Sequence, residues 1–209
     1  MGSHLSRVVA HASKRSSARA RFAWHLRRTA PRFIAYGQFS VNAKLRTAGP
    51  DLAKELAVGD RAPAFRLLTD TGEISSADLK GKAYVLYFYP KDDTPGCTKE
   101  AIAFSENAAK FKASRVEIVG VSKDNAESHR KFRQKYGLKI TLGSDQEKTV
   151  AHAYGIWIEK KLYGRVYMGM DRATFLVDHK GVIRQIWRNV KVPGHADAVL
   201  DAAISLTGR

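Results

Sequence analysis

Ala83-Tyr84-Val85-Leu86-Tyr87-Phe88-Tyr89 runs directly into Pro90-Lys91-Asp92-Asp93-Thr94-Pro95-Gly96-Cys97-Thr98-Lys99-Glu100, and the junction between them sets the reading of the whole chain. The first part is a short continuous apolar run rich in aromatic and β-branched residues, the pattern of a strand buried on both faces. After it, Cys97, Ala101, Phe104, Ala108 and Phe111 recur at spacings of three and four, which predicts one face of a helix. Thr94 suits the N-cap, and Pro95 the first helical position, where its missing N–H costs nothing. Cys97 then falls in the first turn, where unpaired backbone N–H groups and the positive end of the helix dipole favour thiolate over thiol. A lone cysteine is more commonly a small buried hydrophobe. The polar, turn-forming neighbours of Cys97 favour a chemical role.

Cys97 is the only cysteine in 209 residues. That excludes an internal disulfide framework, a CxxC redox pair and a zinc site built on several cysteines. Any second thiol must come from another molecule. No apolar run approaches the length of a membrane span. The net charge of +16 is unevenly placed: residues 1–50 carry ten Lys and Arg and no Asp or Glu. Removing those ten from 36 leaves 26 basic against 20 acidic residues, so the remainder is only mildly basic. Residues 1–55 are therefore expected to be a basic N-terminal extension: a tag remnant, given Met1-Gly2-Ser3-His4, an organellar targeting segment or a disordered tail. Its few aromatics show no spacing that suggests specific nucleic-acid binding. The compartment is expected to be the cytoplasm, or a mitochondrion or other organelle if residues 1–50 are a transit peptide.

Residues 56–209 read as one domain. Phe65–Leu67 and Glu73–Ser75 predict a small hairpin, Val116–Ser122 a second core strand, and Ala126–Tyr136 a helix stopped by Gly137. Ile140–Leu142 predicts a short strand and Gln146–Tyr154 a short helix, with Trp157–Met170 as a covering loop. Arg172–Val177 and Val182–Trp187 form a hairpin about Asp178-His179-Lys180-Gly181, and His195–Leu206 a closing helix. This order fits an α/β fold with a central mixed sheet flanked by helices.

The segment Tyr87–Glu100 resembles the active-site segment of peroxiredoxins, specifically the bacterioferritin-comigratory, or Q-type, subfamily. Further resemblance lies in Gly120-Val121-Ser122, Tyr154-Gly155-Ile156-Trp157, Tyr163-Gly164-Arg165, Arg172-Ala173-Thr174-Phe175 and Val192-Pro193-Gly194-His195. The resemblance implies a thioredoxin-like fold and reduction of hydrogen peroxide or organic hydroperoxides at a cysteine, with no cofactor and no metal. Carried over by position, Cys97 is the peroxidatic cysteine, Thr94 places its hydroxyl on the peroxide, Pro90 shields the pocket and Arg172 lies beside the thiolate. Plainer roles exist for each: Pro90 as a strand stop, Thr94 as a cap, Arg172 as a surface ion pair. Glu100, one turn from Cys97, disfavours the thiolate unless neutralised, so it is expected to pair with Arg172 or Lys99.

Many Q-type members carry a resolving cysteine five residues after the first. Ile102 occupies that position here. The resemblance thus implies a one-cysteine cycle, with Cys97 sulfenic acid resolved by an external thiol such as thioredoxin or glutathione with glutaredoxin, on a monomer or weak homodimer. A thiol sensor that reacts once without turnover is the alternative. A cysteine hydrolase is disfavoured, because His129, His152 and His195 show no motif relation to Cys97 and read as surface or capping residues. Asp92 and Asp93 read as solvated turn residues that help the helix start.

Overall fold

The computed structural model describes residues 55–162 and 164–208. The expectations for the basic extension, and for Tyr163, lie outside the described residues. The chain begins with the antiparallel pair β1 (Arg66–Thr69) and β2 (Gly72–Ser75), then β3 (Ala83–Phe88), α1 (Pro95–Glu106) and α2 (Ala108–Ala113). It continues through β4 (Val116–Ser122), α3 (Ala126–Tyr136), β5 (Thr141–Ser144) and α4 (Thr149–Ala153). A ribbon follows, β6 (Trp157–Leu162) with β7 (Arg165–Met170), then β8 (Ala173–Val177), β9 (Ile183–Trp187) and α5 (His195–Thr207).

Seven strands form one mixed sheet in the order β2-β1-β5-β4-β3-β8-β9. Its centre is parallel, β3 to β4 to β5, while β1 and β8 run antiparallel to their neighbours. β3 is buried along its whole length, as its unbroken apolar run requires. Its side chains alternate between two cores. Val85, Tyr87 and Tyr89 point into one, with Cys97, Phe104, Phe111, Phe132 and Val199 from the helices above. Tyr84, Leu86 and Phe88 point into the other, with Val150, Ala151, Tyr154 and Phe175. This is a thioredoxin-like arrangement, with β3 delivering the chain at the sheet's centre to the start of α1.

Two elements differ from the sequence expectation. The helical face from Cys97 to Phe111 is broken at Asn107, whose side-chain amide donates to Asp197 Oδ1 at the start of α5, 2.8 Å away. The periodicity survives the break because both segments face the same core, with Phe104 and Phe111 fully buried. The stretch Trp157–Met170 is a two-stranded antiparallel ribbon instead of a loop, paired from Trp157↔Met170 to Leu162↔Arg165. Its Val166, Tyr167 and Met168 are exposed, and Met170 at its end is buried.

Candidate active site

Thr94 stands at the N-cap of α1 in extended conformation, with Pro95 at the first helical position. Its hydroxyl does not cap the helix: it donates to the Lys91 carbonyl at 3.1 Å, inside the turn. The capping expectation therefore holds for position and fails for the side chain. The first turn of α1 keeps backbone N–H groups unclaimed by a cap, and Cys97 lies within that turn.

Cys97 is 2% exposed, so the plainer reading of a buried cysteine is correct for its accessibility. Its polar contact sets it apart from a packing residue. Nη2 of Arg172 donates to Cys97 Sγ at 3.3 Å, and Nη1 of the same guanidinium bonds Glu100 Oε2. Arg172 directly precedes β8, the antiparallel neighbour of β3, so it lies beside the end of β3 and reaches the first turn of α1. A Cβ on Gly96 would lie 3.5 Å from Nη2, so the guanidinium sits against the helix start. One cation thus joins a sulfur and a carboxylate from two successive turns of one helix.

Glu100 is 1% exposed, and of the two partners expected for it Arg172 is the one the fold supplies. Burial, offset in part by Arg172, pushes its carboxyl up to about 7. Its other oxygen, Oε1, has no hydrogen-bond partner. Pro90 is half-buried where β3 ends, next to Tyr89, whose N–H still bonds Val121 of β4 at 3.0 Å. Ile102 packs partly buried against the same core as Cys97.

The sequence reading placed three polar residues wrongly. Asp92 is 5% exposed, held by Tyr89, Ser128 and His129. His129 is fully buried, and His195 is 7% exposed with Nε2 2.8 Å from Thr174 Oγ1. Burial, assisted by the Arg172 charge, lowers His195 to about 4, so it is neutral near pH 7. The signal for His129 was present: it lies three residues from Phe132 on the inward face of α3, which is core spacing. Asp92 had no such signal, because its donors come from separate elements.

A thioredoxin-like sheet that brings one cysteine to the first turn of a helix, with a guanidinium on its sulfur, defines a thiol-dependent oxidoreductase. Comparison with known proteins narrows the class. Residues 58–186 match the AhpC/TSA family. A putative Bcp peroxiredoxin of Coxiella burnetii is 49% identical over 146 residues, covering 69% of this chain and 97% of that protein. Peroxiredoxin Bcp of Bacillus subtilis is 44% identical over 146 residues, covering 69% of this chain and 93% of that protein. A solved structure of Xanthomonas campestris peroxiredoxin Q superposes with a TM-score of 0.66 at 39% identity, covering 68% of this chain and 91% of the other. The chain belongs to the AhpC/TSA family, and within it to the peroxiredoxins of the Bcp, or Q-type, branch.

Proposed function

We propose that this protein reduces hydrogen peroxide and organic hydroperoxides at Cys97 in a one-cysteine cycle completed by an external thiol. The observation that carries the reading is the 3.3 Å contact between Arg172 Nη2 and Cys97 Sγ in the first turn of α1. The permanently charged guanidinium stabilises both a sulfur anion and the charge that develops on a leaving oxygen. A solved structure of the Xanthomonas relative is described in terms of alkyl peroxide reduction, which supports the substrate class.

In the first step the thiolate attacks one peroxide oxygen. The S–O bond forms, the O–O bond breaks, and the departing hydroxide or alkoxide takes up a proton. Sulfur, oxidised by two electrons, becomes sulfenic acid. The Thr94 hydrogen is committed to the Lys91 carbonyl, so Thr94 offers the incoming peroxide an acceptor oxygen for its O–H. Pro90 contributes an apolar wall that limits water. With Ile102 where many relatives carry a resolving cysteine, and no other cysteine in the chain, an external thiol attacks the sulfenic sulfur. Water leaves, and a second external thiol releases Cys97 from the mixed disulfide.

The histidines that the fold buries do not favour a cysteine hydrolase, since His129 faces Asp92 and His195 faces Thr174. A steady-state assay with excess peroxide and an added thiol tests the proposal, with Cys97→Ser as control. Many equivalents of peroxide are consumed by the wild type and none above background by the variant. Consumption that stops after one equivalent assigns the protein to the sensor class, and activity that survives Cys97→Ser refutes the cysteine chemistry.

A further inference from the structure

Both aspartates of the turn between β3 and α1 are held by α3, a helix that touches the turn from outside the Cys97–Arg172 pair. The Asp92 carboxylate receives the Tyr89 hydroxyl at 2.7 Å and the Ser128 hydroxyl at 2.7 Å, and lies 2.9 Å from Nδ1 of His129. The backbone N–H of Asp92 donates to Asp124 Oδ2 at 2.8 Å, and that same oxygen accepts the Ser122 hydroxyl at 2.8 Å. Asp93 adopts a positive φ of 55° and accepts from Lys135 Nζ at 2.7 Å and the Tyr136 hydroxyl at 2.6 Å. One anchor is buried and the other exposed. Between them they span the turn.

A carboxylate withdrawn from water is costly unless protein donors replace its hydration, and Asp92 has three side chains doing so. His129 Nε2 is buried with no hydrogen-bond partner, so Asp92 is the polar contact that accounts for a histidine at that depth. A solvated turn would connect β3 to α1 without this desolvation. What the buried network adds is a fixed backbone, and that backbone carries Pro90 on one side of Asp92 and Thr94 on the other.

We infer that Asp92 is a positioning residue. Its carboxylate, gripped by Tyr89, Ser128 and His129, holds the turn so that Pro90 and Thr94 meet a hydroperoxide at the reach of Cys97. The inference rests on the peroxidase reading above, and assigns α3 the task of supporting the substrate side of the site. Arg172 and the first turn of α1 support the sulfur side independently.

The two sides are separable by experiment. Rapid-mixing rates of Cys97 with hydrogen peroxide, and with iodoacetamide as a probe of the thiolate alone, are measured on the full chain. In Asp92→Asn the peroxide rate falls about tenfold or more, because a small displacement of a positioning group costs that much, while the alkylation rate stays within about twofold. Tyr89→Phe and Ser128→Ala, which each remove one donor and leave the carboxylate, show the same selectivity with a smaller loss, and they decide the matter if Asp92→Asn does not fold. Equal peroxide rates in folded variants and wild type overturn the inference, and so does a parallel fall of both rates, which marks general loosening. A wild-type thiol no faster toward peroxide than free cysteine takes down the peroxidase reading itself, whatever the variants do.

Discussion

At the scale of single residues, the pair Glu100 and His195 makes an unusual contribution to the dependence of stability on pH. Burial, partly offset by Arg172, raises the Glu100 carboxyl from its ordinary 4.5 to about 7. The folded state therefore binds that proton more tightly than the unfolded chain. Its contribution to stability is fully present below about 4.5 and is lost as pH rises through about 7. His195 moves the other way, from 6.5 down to about 4, through burial first and the Arg172 charge second. Its contribution is fully present above about 6.5 and is lost as pH falls through about 4. The windows overlap and the slopes oppose each other. Urea denaturation between about pH 5 and 7 separates them: relative to wild type, Glu100→Gln gains stability as pH rises, and His195→Gln loses it. Two variants with the wild-type slope would show that neither group titrates as its surroundings dictate. The site itself was partly legible here. The turn from Pro90 to Cys97 is continuous in sequence and was legible for that reason, whereas Arg172, 75 positions from the sulfur it contacts, came only from the family resemblance. The burial of Asp92 and His195 was not legible, because it depends on which hydroxyls and rings the fold delivers, whereas that of His129 could be read from its spacing with Phe132.

At the scale of elements, the break between α1 and α2 is a packing device that periodicity alone does not reveal. Asn107 is 8% exposed, caps α1 in αR conformation, and sends its amide both to the Ala103 carbonyl at 3.3 Å and to Asp197 Oδ1 at 2.8 Å. The second bond ties the bend to the first turn of α5, and α5 also supplies Ala196, Val199 and Leu200 to the core that holds Cys97. Asn107→Ala leaves Asp197 without this donor and is expected to cost about 1–2 kcal/mol. Chemical denaturation reads that loss, and a change below about 0.5 kcal/mol, the range of ordinary surface substitutions, would show that the bond contributes no net stability. Helices and strands with strong patterns were legible: β3, β4, β8, β9, α3 and α5 lie within a few residues of their expected bounds. The ribbon β6–β7 was not, because Val166, Tyr167 and Met168 follow one another and are all exposed, without the in-out alternation that marks a sheet strand. Asn107 escaped notice because an asparagine in a continuing apolar stripe gives no sign of a partner ninety positions away.

At the scale of the whole molecule, the charge asymmetry sets residues 1–50 apart from the rest of the sequence. Among the described residues, sheet and helices run from Arg66 to Thr207, and the family match lies at residues 58–186. The Coxiella relative is covered over 97% of its length by 69% of this chain, so a peroxiredoxin of this branch is built on fewer residues than this chain has. A chain beginning at Glu55 is therefore predicted to unfold within about 3 °C of the full-length protein and to react with hydrogen peroxide at the same rate within about twofold. What the truncation removes is eleven Lys and Arg against one Asp, so retention on a polyanion such as heparin, and its sensitivity to salt, should fall sharply. Scanning calorimetry, rapid-mixing kinetics and a salt-gradient elution of the two chains make the comparison. A slower peroxide reaction in the truncated chain would mean that the extension contributes to the site, and would move the functional boundary of the molecule upstream of Glu55.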